Sequence, residues 1–176
     1  MNPQKLLLVA AALCAAVLSS CQSTAPSPAV GTRVNWPGVA FKEVRAYCYD
    51  YTAEWRSSFW AEGRMHQGVM DPKGVKLSSA QVKRLMDIVT TSAPASERRG
   101  CYKPHHAFMF FDGQGKVVAV FEMCFGCNRF VATPGGVPEY IDKAALYQLT
   151  HDLGLPLGVG NKFYTDACRG GVKDRR

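Results

Sequence analysis

The chain has few acids and no apolar run of membrane-spanning length. Its 14 Asp and Glu face 21 Lys and Arg, for a formal charge of +7. Such a balance invites a nucleic-acid reading, but the basic residues are scattered, and only Arg98 with Arg99 and the stretch 173–176 are grouped. A solvated, mildly basic surface accounts for them, and no nucleic-acid partner is expected. The apolar run 6–18 falls short of the ~20 residues that a transmembrane helix needs. Catalytic patterns are equally scarce. No Ser/His/Asp arrangement stands out, and Gly113 and Gly115 precede no helix, which excludes a phosphate loop. Residue 128 is Asn where covalent haem attachment requires histidine.

What is present at the N-terminus is a secretion signal. Lys5 supplies a positive start, residues 6–18 an apolar core, and Leu18, Ser19, Ser20 and Cys21 a short site of small residues ending in cysteine. These four residues resemble the bacterial lipobox. The resemblance implies cleavage after Ser20, acylation of Cys21 and a membrane partner reached through that lipid, each buried methylene contributing ~0.8 kcal/mol. Residue 22 is Gln rather than an inner-membrane retention Asp, so the expected address is the outer membrane, facing the periplasm. Losing Lys5 with the signal takes the charge from +7 to +6.

Four segments follow: a signal at 1–20, a lipidated cysteine with a Ser/Thr/Ala/Pro/Gly tether at 21–38, one globular domain at 39–160, and a basic tail at 161–176. With 47% hydrophobic and 20% charged residues, about 140 residues suffice for a single core. Residues 41–51 read as a strand with Val44, Ala46 and Cys48 on one face. Asp71, Pro72, Lys73 and Gly74 read as a turn. Ser78 and Gln81 form a capping box ahead of a helix whose apolar face is Val82, Leu85, Met86 and Val89. Two apolar runs flank 112–116 and predict a hairpin buried on both faces. Asp142 caps a second helix, stopped by Gly154 and Pro156. The expected fold is α+β, a small antiparallel sheet with a central hairpin packed by about two helices.

Cys101, Tyr102, Pro104, His106, Ala107, Phe108, Phe110 and Asp112, then Gly115, Lys116, Val118, Ala119, Glu122, Cys124, Phe125 and Cys127, and finally Leu153, Gly154, Leu155 and Pro156 form a pattern. It resembles a group of uncharacterised bacterial lipoproteins and secreted proteins over residues 41–158. The resemblance supports the compartment and the fold and supplies no activity. The stretch after Gly160, with Cys168, lies outside it.

Setting aside Cys14 in the signal and the lipidated Cys21, five cysteines remain in an oxidising compartment: Cys48, Cys101, Cys124, Cys127 and Cys168. Five is odd, so at least one stays unpaired within the chain. If Phe111 faces Val117 across the five-residue loop, counting outward brings Cys101 opposite Cys127, within disulfide reach. The same register puts His106 opposite Glu122 on the face of Cys124, with His105, Cys101 and Cys127 on the other face. Three readings of the cluster compete. The first is a structural disulfide, with or without a second one involving Cys48 or Cys168. The next is a zinc site using Cys124, Cys127, Cys101 and His105 or His106, which requires the chain to turn at Phe125 and Gly126. The third is a redox-active Cys124/Cys127 pair, poorly matched because no helix follows it. Consecutive strand residues point to opposite faces, so His105 and His106 are not expected to serve one site. His66, near Trp55, Phe59 and Trp60, belongs either to the core or to an aromatic binding patch. The first expectation is therefore a lipid-anchored envelope protein with a non-catalytic structural or binding domain and no cofactor. The alternative is a thiol oxidoreductase or metal-binding protein built on Cys124 and Cys127.

Overall fold

The computed structural model describes residues 29–170; the signal, Cys14, Cys21 and the tether up to residue 28 lie outside them, whereas Trp36, within the stretch expected to be tether, is buried in the core. The fold is α+β. Strand β1 (Glu43–Cys48) has short β4 (Val75–Lys76) on one side and β5 (His106–Phe111) on the other, followed by β6 (Val117–Cys124) and β7 (Arg129–Thr133). All neighbours in this five-stranded sheet are antiparallel. A separate two-stranded ribbon pairs β2 (Trp60–Ala61) with β3 (Arg64–Met65).

Sequence patterning explains both faces of the sheet. Val44, Ala46 and Cys48 of β1 align with Phe108, Phe110, Phe121 and Met123 in one buried cluster. Helices α1 (Ser79–Thr90) and α2 (Lys143–Asp152) bring Leu85, Ile88, Val89, Leu146 and Leu149 to the same cluster. Trp36 sets its ring edge-on to Phe110 at 5.1 Å, and its Nε1 donates to the Pro134 carbonyl at 2.6 Å. The opposite face, Tyr47, Tyr49, Ala107, Met109 and Val120, is covered by Phe59 from the segment between β1 and β4. The hairpin β5–β6 is thus buried on both sides, which is why neither strand alternates polar with apolar.

Local chemistry fixes the helix ends as expected. Ser78 Oγ accepts from Gln81 N–H while the Gln81 side chain accepts from Ser78 N–H, so two otherwise orphaned donors are satisfied. Asp142 accepts from Ala145 N–H. After α2, Gly154 takes φ +72° and donates to the His151 carbonyl at 2.8 Å, a left-handed stop that favours glycine.

The segment 49–70 is held by polar chemistry more than by regular structure. Arg56 donates to the carbonyls of Ala61 and Met65 and to Glu54, which also holds Arg64 and Gln67 N–H. Burial alone would raise the Glu54 carboxyl, but these hydrogen bonds win and hold it down at about 2. His66 Nδ1 accepts from Gly68 N–H at 3.0 Å, leaving Nε2 to donate to the Arg56 carbonyl at 2.9 Å. A side chain at residue 68 would collide with the Asp50 carbonyl, 2.1 Å from its Cβ position, so the turn requires glycine there. Of the aromatic group around His66, Phe59 is fully buried whereas Trp55 is 88% exposed, so it forms core rather than one continuous patch.

Two expectations are corrected. Phe111 does face Val117, but Phe110 pairs with Ala119, so Val118 is an extra residue in β6. This bulge shifts every later pair by one. His106 therefore faces Met123, and Glu122 faces Ala107 on the opposite side of the sheet. The second correction concerns the stretch set apart as a basic tail. Residues Asn161–Gly170 form a helix, α3, which buries Tyr164 and Cys168.

Candidate functional site

The chain ahead of β5 and the turn after β6 are tied by a disulfide. Cys101 and Cys127 are bonded with Cα atoms 5.7 Å apart. The bulge takes this contact off the register that suggested it: Cys101 lies before β5, and residues 125–128 form the β6–β7 turn. Arg99 N–H donates to the Cys127 carbonyl at 3.0 Å and supports the approach. The chain does turn at Phe125 and Gly126, and Cys127 N–H donates to Cys124 Sγ at 3.3 Å. Cys124 is buried and unbonded, as are Cys48 and Cys168. Among the described residues no group of three or more His, Cys, Asp or Glu is gathered as a metal site.

His105 precedes the first paired residue of β5, so strand alternation does not govern it. Its ring stacks on Tyr164 of α3, with centroids 3.6 Å apart and planes at 8°. His106 meets the same Tyr164 edge-on at 5.6 Å and Phe125 at 5.3 Å. One tyrosine thus joins two histidines that the sequence reading separated. His105 Nδ1 lies 3.1 Å from the Tyr49 carbonyl and His106 Nε2 lies 2.8 Å from the Pro156 carbonyl. A carbonyl only accepts, so both nitrogens carry hydrogen. Burial lowers both imidazoles below the ordinary value, His106 to about 4 with a further push from His105. Burial also raises the Tyr164 phenol to about 12.

These groups border a cavity of about 230 Å³. Its walls are the two imidazoles, Tyr164, Phe125, the Cys101–Cys127 disulfide with Cys124, and residues 158–161 at the start of α3. Arg99 and Lys103 also line it, and among the described residues no carboxylate does. A larger open groove of about 590 Å³ runs along α1, but its charges are matched locally: Lys83 to Asp87 at 2.7 Å and Arg84 to Asp152 at 2.6 Å.

No family model, curated protein or solved structure matches the chain.

Sequence reasoning missed Tyr164 and the start of α3. Tyr164 and Cys168 stand four residues apart, a helical spacing that marks a buried face, inside a segment whose charge suggested a tail. Glu122 has a structural role on the far face. Burial raises its carboxyl, while the N–H groups of Phe59 and Trp60 and the Tyr102 hydroxyl bond to it.

Proposed function

We propose that the protein is a lipid-anchored protein of the bacterial envelope whose domain binds, without transforming it, a small molecule with an apolar body and an anionic group. The lipobox residues ending in Cys21 support the anchor, and a disulfide suits an oxidising compartment. The observation that carries the ligand class is the cavity itself. It is walled by aromatic and imidazole rings and carries Arg99 and Lys103, with no carboxylate among the described residues that line it. Its volume corresponds to about eight waters at ~30 Å³ each, the scale of benzoate or a short-chain fatty acid. Binding without chemistry fits the side chains: both histidines are tied to carbonyls and Cys127 is held in the disulfide.

Titration calorimetry of the detergent-purified protein with benzoate, benzamide and benzylamine tests this reading. Benzoate is expected to bind, benzamide at least about ten-fold more weakly, a difference of ~1.4 kcal/mol, and benzylamine not at all. Arg99→Ala and Lys103→Ala should weaken benzoate alone. Equal binding of benzoate and benzamide would refute the anionic requirement, and no binding of any would refute the pocket. For the anchor, Cys21→Ser should abolish incorporation of labelled fatty acid; unchanged labelling would overturn it.

A thiol-exchange reading draws on one observation, the Cys124 thiol held by the N–H of a disulfide-bonded neighbour. It predicts that a peptide pair joined through Cys124 and Cys127 accumulates when the protein is cycled with a dithiol.

A further inference from the structure

The remaining cysteines form a second chemical site. Cys48 ends β1 and is buried, and Cys168 sits in the last turn of α3. Their thiols are neighbours, each the largest influence on the acidity of the other, although 119 intervening residues separate them in sequence. Neighbouring contacts hold the two elements in this alignment. Thr165 Oγ1 donates to Asp50 at 2.8 Å, and Asn161 donates to the Tyr51 hydroxyl at 2.9 Å. Thr165 lies three residues before Cys168 and Asp50 two after Cys48, so the polar contacts flank the sulfurs. The two thiols differ in access. Cys48 is sealed in the core cluster, whereas Cys168 lines an open recess of about 320 Å³ beside Asp50, Gly68 and Arg169.

We propose that Cys48 and Cys168 form a second, reversible disulfide that latches α3 onto β1, with Cys168 the sulfur that reacts first. Since α3 carries Tyr164, the latch also fixes one wall of the cavity bordered by His105 and His106. The cross-link stands apart from the ligand reading, because it forms equally in a protein that binds nothing.

The oxidant is a disulfide of a small thiol or of an oxidising protein. The Cys168 thiolate attacks one of its sulfurs, forming a mixed disulfide and expelling one thiolate. Cys48 Sγ then attacks Cys168 Sγ, the mixed bond breaks, and the second thiolate leaves. The protons lost by Cys48 and Cys168 are taken up by the expelled thiolates, so two protein thiols are oxidised as one disulfide is reduced. The pairing suits this order: the neighbouring Cys48 lowers the Cys168 thiol, while Cys168 and burial raise that of Cys48.

The test equilibrates the full-length protein with oxidised glutathione, then alkylates it and maps peptides without reduction. A peptide pair joined through Cys48 and Cys168 is expected, with Cys124 alkylated. Cys48→Ser should trap glutathione on Cys168, whereas Cys168→Ser should leave Cys48 as a thiol. Hydrogen exchange on the wild type covers the case in which either variant fails to fold: oxidation should slow α3 amides on the order of ten-fold while leaving β5 and β6 unchanged. Cys48 and Cys168 both alkylated once Cys101–Cys127 has formed, or Cys48 joined to Cys124, would overturn the cross-link. Glutathione trapped on Cys48 in the Cys168 variant would overturn the order of attack, and unchanged α3 exchange would overturn the latch.

Discussion

Removing the Cys101–Cys127 bond tests how the candidate site is held. The bond spans 26 residues, and the loop-closure relation assigns ~3.5 kcal/mol at 25 °C to a loop of that length. Against the ~5 to 15 kcal/mol that holds a domain folded, this is a large share. For a domain of this size it corresponds to a fall of about 10 °C in the unfolding midpoint. The perturbation is the double variant Cys101→Ala/Cys127→Ala, which leaves no stray thiol from the pair. Far-ultraviolet circular dichroism against temperature, at a concentration where refolding is reversible, reads the midpoint. Reductant should add nothing at this bond in the double variant, so any residual effect reports another cross-link. A midpoint within about 2 °C of wild type, in protein whose wild-type parent yields the linked peptide pair, would refute the argument that this bond constrains the unfolded chain.

Three further outcomes follow from named residues. Burial holds His106 at about 4 in the folded protein against ~6.5 in the unfolded chain. Its contribution is therefore present above pH ~6.5 and lost as pH falls toward 4, on the order of 3 kcal/mol in all; His106→Asn should flatten the urea-unfolding free energy over that window. Ser78→Ala removes the acceptor for Gln81 N–H and should cost ~1 kcal/mol by urea unfolding, with Ser78→Asp close to wild type. Phe108→Ala empties a fully buried site between the sheet and its helices and should cost ~3 to 5 kcal/mol, measured by the same unfolding curve.

The elements legible in the sequence are those whose signals are local. The Ser78/Gln81 box, the Asp142 cap, the Gly154 stop and the loop at 112–116 each place chemistry within a few residues of the boundary they set. The ribbon β2–β3 was not legible, because two-residue strands carry no periodicity and depend on Arg56 reaching the carbonyls of Ala61 and Met65. Helix α3 was hidden by composition. Its buried residues, Tyr164 and Cys168, sit among Lys162, Asp166 and Arg169, and its partners Asp50 and Tyr51 are more than a hundred residues away.

The bulge at Val118 carries the largest consequence for the site, and alternation had no means of finding it. Val117 and Val118 are both apolar, and both faces of the hairpin are covered, so either register buries hydrophobic residues and only the tertiary fit decides. Without the extra residue Glu122 would face His106, and a buried carboxylate beside an imidazole would suggest acid–base chemistry. With it, Glu122 is held on the far face by Phe59 and Trp60 N–H groups, and Met123 occupies the position opposite His106. The cavity is left with Arg99 and Lys103, and among the described residues no acid lines it. One inserted residue in β6 thus takes the carboxylate away from the histidines, an arrangement that the proposed anion site requires.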